Sequence, residues 1–130
     1  MTNKISLALV AALFATLSFP SVAASPGQVL KGIASYYHDS LHGNKTASGQ
    51  IYNKNQMSAA HKSLPLGSKV RVTDVRTGKS IVVRVNDRGP FIKGRIIDLS
   101  RRAASELGMI RKGVTPVKVE VLSVPGRRGA

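Results

Sequence analysis

With cysteine absent, six carboxylates and three histidines are the first groups to weigh for acid–base or metal chemistry in this chain. Without a thiol there is no disulfide framework, thiolate metal site, Cys nucleophile or lipid attached through Cys. The carboxylates separate by context. Glu106 falls in a helical segment and Glu120 on the polar face of a strand, so both read as solvated surface groups. Asp74 stands beside a hairpin turn, a position Asp favours because its side chain bonds nearby backbone. Asp39 lies in a polar loop with no clear partner. Asp98, two residues before Ser100, is placed to cap or complement a helix start where Arg101 and Arg102 put the wrong sign of charge. Asp87 differs from all of these. It stands where an alternating strand meets Gly89-Pro90, flanked by Asn86 and Arg88, a placement suited to a cleft-facing carboxyl.

His38 and His42 are four residues apart, but they sit in a Gly-, Ser- and Asn-rich loop that does not converge them as a helix would. No metal and no cofactor are expected. His61 ends an apolar stretch and by itself reads as a hydrogen-bonded structural histidine. No Gly-x-Ser-x-Gly elbow, P-loop or Gly-x-Gly-x-x-Gly fingerprint accompanies these groups.

The elements that position them are short. Residues 32–37 read as a first strand and residues 38–55 as a long polar loop. Residues 57–61 form a short apolar stretch, and Leu64-Pro65-Leu66-Gly67 turns the chain. Val70 and Val72 alternate with Arg71 and Thr73; Ile81, Val83 and Val85 alternate with Val82, Arg84 and Asn86. Arg76-Thr77-Gly78-Lys79 between them supplies a turn, so a β-hairpin is expected. Residues 95–99 read as a strand, and residues 100–107 as a helix capped by Ser100 and ended by Gly108. Val117, Val119 and Val121 mark a last strand over residues 116–122. Five or six short strands with one short helix suggest a small β-barrel, whose closure also removes exposed strand edges.

Twenty Lys and Arg against six Asp and Glu give a net charge of +14, which calls for an anionic partner or surface. The 42% hydrophobic content is that of a folded domain. With no Trp and 5% aromatics, a base-stacking nucleic-acid platform is disfavoured. Residues 1–24 read as a secretory signal: Lys4, an apolar run, Pro20 and the small residues Val22-Ala23-Ala24. The run is short of the roughly 20 residues a spanning helix needs, so no transmembrane anchor is expected after cleavage. The expected organisation is a signal over 1–24, a lead-in over 25–31, a barrel domain over 32–122 and a basic flexible tail over 123–130.

Five ordered stretches carry a resemblance. They are Gly32-Ile33-Ala34-Ser35-Tyr36-Tyr37, Thr46-Ala47-Ser48-Gly49, Ala59-Ala60-His61-Lys62-Ser63-Leu64-Pro65-Leu66-Gly67 and Val85-Asn86-Asp87-Arg88-Gly89-Pro90-Phe91. The fifth is Arg95-Ile96-Ile97-Asp98-Leu99-Ser100, followed by Ala103-Ala104 and Leu107-Gly108. Together they resemble the rare lipoprotein A family of septal-ring-type endolytic peptidoglycan transglycosylases. The resemblance implies a mainly β fold, a six-stranded double-psi β-barrel with one short α-helix. It also implies cleavage of glycan strands stripped of stem peptides to 1,6-anhydro-muramyl ends, in the envelope and without a cofactor. The family's catalytic pair falls on Asp87 and His61, with Asp98 a second candidate. Gln50, Asn53, Tyr37, Asn86, Arg88 and Asp98 are expected to bind substrate. Gln50 and Asn53 stand where the family pattern carries acidic residues, and no lipid-bearing Cys follows the signal. The expected partner is peptidoglycan glycan, not nucleic acid, met by a soluble exported monomer in the periplasm or envelope. A second reading is a peptidoglycan-binding barrel that has lost its chemistry.

The leader yields the first prediction. Protein recovered from an envelope fraction begins at Ser25 on amino-terminal sequencing; a retained Met1 or a lipid-modified terminus overturns the leader assignment.

Overall fold

The computed structural model describes residues 24–126, so residues 1–23 of the expected leader and residues 127–130 of the expected tail lie outside the described residues. Alternation of β-branched residues fixes most of the strands: β1 (Val29–Tyr36), β2 (Ser58–His61), β3 (Lys69–Asp74), β4 (Ser80–Asp87), β5 (Arg95–Leu99) and β6 (Thr115–Ser123). A single 3-10 turn, Asp39–Leu41, follows β1, and the helix α1 (Arg101–Leu107) lies between β5 and β6. The strands close into a barrel in the order β1-β5-β2-β4-β3-β6. β1·β5 and β2·β4 run parallel, and the other four pairs run antiparallel. This closed six-stranded barrel with one short helix is the double-psi architecture that the resemblance implied.

Val70 and Val72, Ile81, Val83 and Val85, and Val117, Val119 and Val121 all point into the barrel and are buried. Their outward neighbours Arg71, Val82, Arg84 and Lys118 are exposed. From α1, Ala103, Ala104 and Leu107 join the same core. Ser100 Oγ accepts from the Ala103 N–H, and Gly108 ends the helix at φ 82°, a left-handed conformation that favours glycine.

Three expectations change. β1 begins at Val29, inside the segment read as a lead-in, because Val29 to Lys31 pair with Glu120 to Lys118 of β6. A distant strand supplies the hydrogen bonds that local Pro and Gly signals did not foresee. Asp98 does not serve the helix start; it is a β5 residue bonded to the Ser35 hydroxyl, while Ser100 caps α1. Asp39 has a partner after all, the Arg101 guanidinium at 3.4 Å, and Arg102 pairs with Glu106 at 2.9 Å.

Extra residues interrupt two strand pairs that frame the site. Ala59 pairs with Val85 but Ala60 pairs with Asp87, leaving Asn86 as a bulged residue on β4. Ile33 pairs with Arg95 but Ala34 pairs with Ile97, leaving Ile96 extra on β5. The Ile96 side chain lies against Gly32, where an added Cβ would meet its Cγ2 at 2.5 Å.

Asp74 is structural, as expected from its turn. It is 1% exposed, accepts from the Arg76 and Thr77 N–H groups at 2.8 and 3.3 Å, and takes the Thr115 hydroxyl at 3.0 Å. Asp74→Ala strands that buried hydroxyl and frees the turn, so urea unfolding is expected to show a loss of about 2–3 kcal/mol. Activity per folded molecule is expected to stay unchanged.

Candidate active site

Strict alternation from Ile81, Val83 and Val85 would turn residue 87 into the barrel. The bulge at Asn86 shifts the phase by one residue, which is the means by which bulges re-aim side chains. Asp87 therefore shares a row with Ala60, on the face opposite the core residue Ala59. Ala60 pairs on its other side with Asp98, which in turn pairs with Ser35 of β1. Ser35, Asp98, Ala60 and Asp87 thus form one row across four strands, and both carboxyls are half-buried.

Asp87 accepts three hydrogen bonds. Its Oδ1 takes the Ala47 N–H at 2.8 Å and the Arg88 N–H at 2.9 Å, and its Oδ2 takes the Tyr37 hydroxyl at 2.5 Å. Tyr37, expected to bind substrate, is buried, with its hydroxyl used on Asp87. Burial first, and then the bond to Asp87, push ionisation of that hydroxyl far above its ordinary value, so it remains a donor. The Tyr37 ring meets Tyr52 edge-on at 4.4 Å, and these two rings with Ala60 make a small second core. Tyr52 is anchored in turn, its hydroxyl accepting from the Arg101 N–H at the start of α1 at 3.1 Å.

His61 neighbours Ala60, so the pleat sends it to the other face: it pairs with Ile97, an inward residue. Among the described residues no hydrogen bond joins His61 to Asp87. The His61 Nδ1 instead accepts the Ser63 and Leu64 N–H groups, both at 3.1 Å. An acceptor Nδ1 requires the neutral ring. Burial foremost, then the Arg88 and Lys62 charges, lower its pKa to about 4, which keeps it neutral. The same turn holds Arg88, whose guanidinium donates to the Leu64 and His61 carbonyls at 2.7 and 3.2 Å. The charge beside Asp87 is thereby drawn towards the 61–64 turn, leaving the Arg88 N–H to serve the carboxyl.

The remaining expected residues divide. Gln50 Oε1 and Asn86 Nδ2 lie 3.4 Å apart beside a depression of about 370 Å³, also lined by Ser48, Leu66, Gly67, Arg84 and Val85. Asn86 Oδ1 is buried there without a hydrogen-bond partner. Asn53 Oδ1 instead accepts the Asn55 N–H, closing a turn. Sequence reasoning missed Ser35, Ala47 and Tyr52. The Ala47 contribution is a backbone N–H, which leaves no trace in residue type. Tyr52 carried a signal, a bulky aromatic inside an otherwise polar loop.

Comparison with known proteins places the family and the fold. The family described as lytic transglycolase matches residues 29–119. The endolytic peptidoglycan transglycosylase RlpA of Pasteurella multocida is 58% identical over 98 residues, 75% of this chain and 33% of the relative. The protein of that name from Campylobacter jejuni is 48% identical over 104 residues, 80% of this chain and 38% of the relative. The chain thus spans about a third of the length of these curated relatives. Among solved structures, the Streptomyces papain inhibitor superposes with TM-score 0.63 at 26% identity, covering 75% of this chain and 97% of that one. The apo expansin of Clavibacter michiganensis superposes with TM-score 0.59 at 23% identity, covering 77% and 53%, a likeness of fold alone. With its motifs matched over most of the described barrel, the chain belongs to the lytic transglycolase family.

Proposed function

We propose that this barrel cleaves peptidoglycan glycan strands, preferentially those lacking stem peptides, as an endolytic lytic transglycosylase that leaves 1,6-anhydro-muramyl ends. The observation that carries the reading is Asp87, turned outward by the Asn86 bulge and oriented by three hydrogen bonds. The names of the relatives, and membership of the family, support the same substrate class. The apolar leader pattern supports export to the envelope. Among the described residues, no helix is long and apolar enough to cross a membrane.

The reaction needs a proton for the glycosidic oxygen while an oxocarbenium-like centre develops at C1. Asp87 takes part in this proton traffic, with Oδ1 held by two backbone N–H groups so that the carboxyl cannot rotate freely. The muramyl C6 hydroxyl then closes on C1 and returns its proton to the carboxylate. Water and a second nucleophile take no part, so the amides at Gln50 and Asn53 leave the chemistry intact. Gln50, Asn86 and Arg84 flank the depression in which a neighbouring sugar would lie. His61 acts through the 61–64 turn that holds Arg88.

Digestion of stem-peptide-free glycan, read by mass spectrometry, is expected to give 1,6-anhydro-muramyl ends, and chelators are expected to leave the rate unchanged. Asp87→Asn keeps shape and polarity but removes the carboxyl that exchanges a proton, so turnover is expected to fall about 10²–10⁴-fold with little change in glycan affinity. Reducing ends would mean hydrolysis, and binding without cleavage would mean that the barrel is a wall-binding module.

The neutral His61 adds a pH dependence to stability. Its folded pKa of about 4 lies below the unfolded value of about 6.5, so between these limits the unfolded chain binds more protons. Stability is therefore intact above about pH 6.5 and is lost as pH falls towards 4. His61→Asn places a non-titrating acceptor near the Nδ1 position. Urea unfolding between pH 4 and 7 is expected to show a shallower acid loss for that variant than for the native protein; parallel curves would mean that His61 does not hold the turn by its neutral form.

A further inference from the structure

We infer that the proton traffic of this reaction is divided between two carboxyls: Asp98 gives the proton to the glycosidic oxygen, and Asp87 takes the proton of the attacking hydroxyl. The inference rests on the transglycosylase reading above and goes further by separating acid from base.

Geometry comes first. Asp98 and Asp87 are both register partners of Ala60, on β5 and β4 respectively, so they lie in one row two strand spacings apart. At about 4.8 Å per strand, their backbones are roughly 9–10 Å apart. That backbone spacing places the two side chains on either side of Ala60 rather than against each other, which leaves room for an attacking oxygen between them. Here that oxygen is the sugar's own C6 hydroxyl. Between the carboxyls, Ala60 is covered by Tyr37 and Tyr52, so the floor of the row is apolar and buried.

The surroundings then assign the roles. Asp87 accepts from Ala47, Arg88 and Tyr37, an arrangement of donors that faces an acceptor. Asp98 has one donor, the Ser35 hydroxyl, and no backbone N–H among the described residues. Burial, the largest cause, raises the pKa of Asp98 against the opposing Ser35 bond and Arg95 charge, and the Asp87 charge adds to the rise. Two carboxyls in such unlike environments are the usual signature of an acid beside a base.

The step balances as follows. The C1–O4 bond breaks with its electron pair going to O4, which takes the Asp98 proton. O6 forms the new bond to C1, and its proton passes to the Asp87 carboxylate. One C–O bond is lost and one gained, with no change of oxidation state. Asp87 afterwards releases its proton to solvent and Asp98 takes one up.

The test compares two substrates: stem-peptide-free glycan, and a muramyl oligosaccharide with a 4-nitrophenyl leaving group that departs without protonation. Asp98→Asn is expected to lose about 10²–10⁴-fold in kcat on glycan but less than 10-fold on the aryl substrate. Asp87→Asn is expected to lose heavily on both. Ser35→Ala removes a bond that lowers the Asp98 pKa, so the alkaline limb of its pH–rate profile is expected to move to higher pH. Thermal unfolding checks that each variant is folded, and Ser35→Ala still decides the matter if Asp98→Asn is not. If Asp98→Asn leaves glycan turnover unchanged, or loses equally on both substrates, or if Ser35→Ala leaves the alkaline limb in place, the division is overturned. Loss at Asp87 alone would then return both roles to that single carboxyl. Native protein that produces no 1,6-anhydro ends would instead overturn the transglycosylase reading itself.

Discussion

A β-strand allows its side chains only two directions, and a closed barrel gives those directions very different meanings: dry core or open groove. Ile81, Val83 and Val85 commit β4 to one phase, and the core depends on all three. The carboxyl two residues later must leave on the other face. One unpaired residue, Asn86, reconciles the two demands. Without it, either a carboxylate would be driven among valines or the strand would surrender its apolar row, and desolvating an unpaired charge is far the costlier option. The rest of the site is arranged around that phase change.

The carboxyl so exposed is held by groups from widely separated parts of the chain. Ala47 comes from the long loop, Tyr37 from just after β1 and Arg88 from the residue that follows Asp87. Tyr37 is braced by Tyr52, and Tyr52 by the first turn of α1. The loop between β1 and β2 is therefore tied down at both ends of this chain of contacts. The Gly43 N–H to Tyr52 and Tyr52 N–H to Asn44 bonds, with the Lys45–Ile51 bridge, give its interior an order that its composition concealed. Rigid support from several elements is what keeps a reacting group within the narrow angular tolerance that proton transfer requires.

Elements set by local pattern were legible in the sequence. The valine alternations of β3, β4 and β6, and the Ser100 and Gly108 caps of α1, stand where the residues placed them. Asp87 stood out because Gly89-Pro90 ends its strand. Features set by pairing between distant strands were not legible. Asp98 looked like a helix cap because sequence distance suggested it, whereas its direction is decided by Ser35 and Ala60, 63 and 38 residues away in sequence. Likewise His61 and Asp87 belong to one motif set, yet the pleat of β2 sends the histidine to the opposite face from Ala60. Residue types announce capacity for chemistry; register decides which capacities meet.

The contact between Gly32 and Ile96 has a mechanical meaning. In a parallel pair the hydrogen bonds are evenly spaced, so their pattern alone distinguishes poorly between registers two residues apart. The β1·β5 seam carries an indexing notch: only where a residue has no side chain can the bulged isoleucine seat. Slippage by one residue would invert every side chain along β5, exchanging Asp98 with Ile97 across the barrel wall. A missing methyl group on β1 thus acts as a ratchet stop for the row of side chains one strand away, so substitution at position 32 would be felt first as misalignment of that row and only second as lost packing.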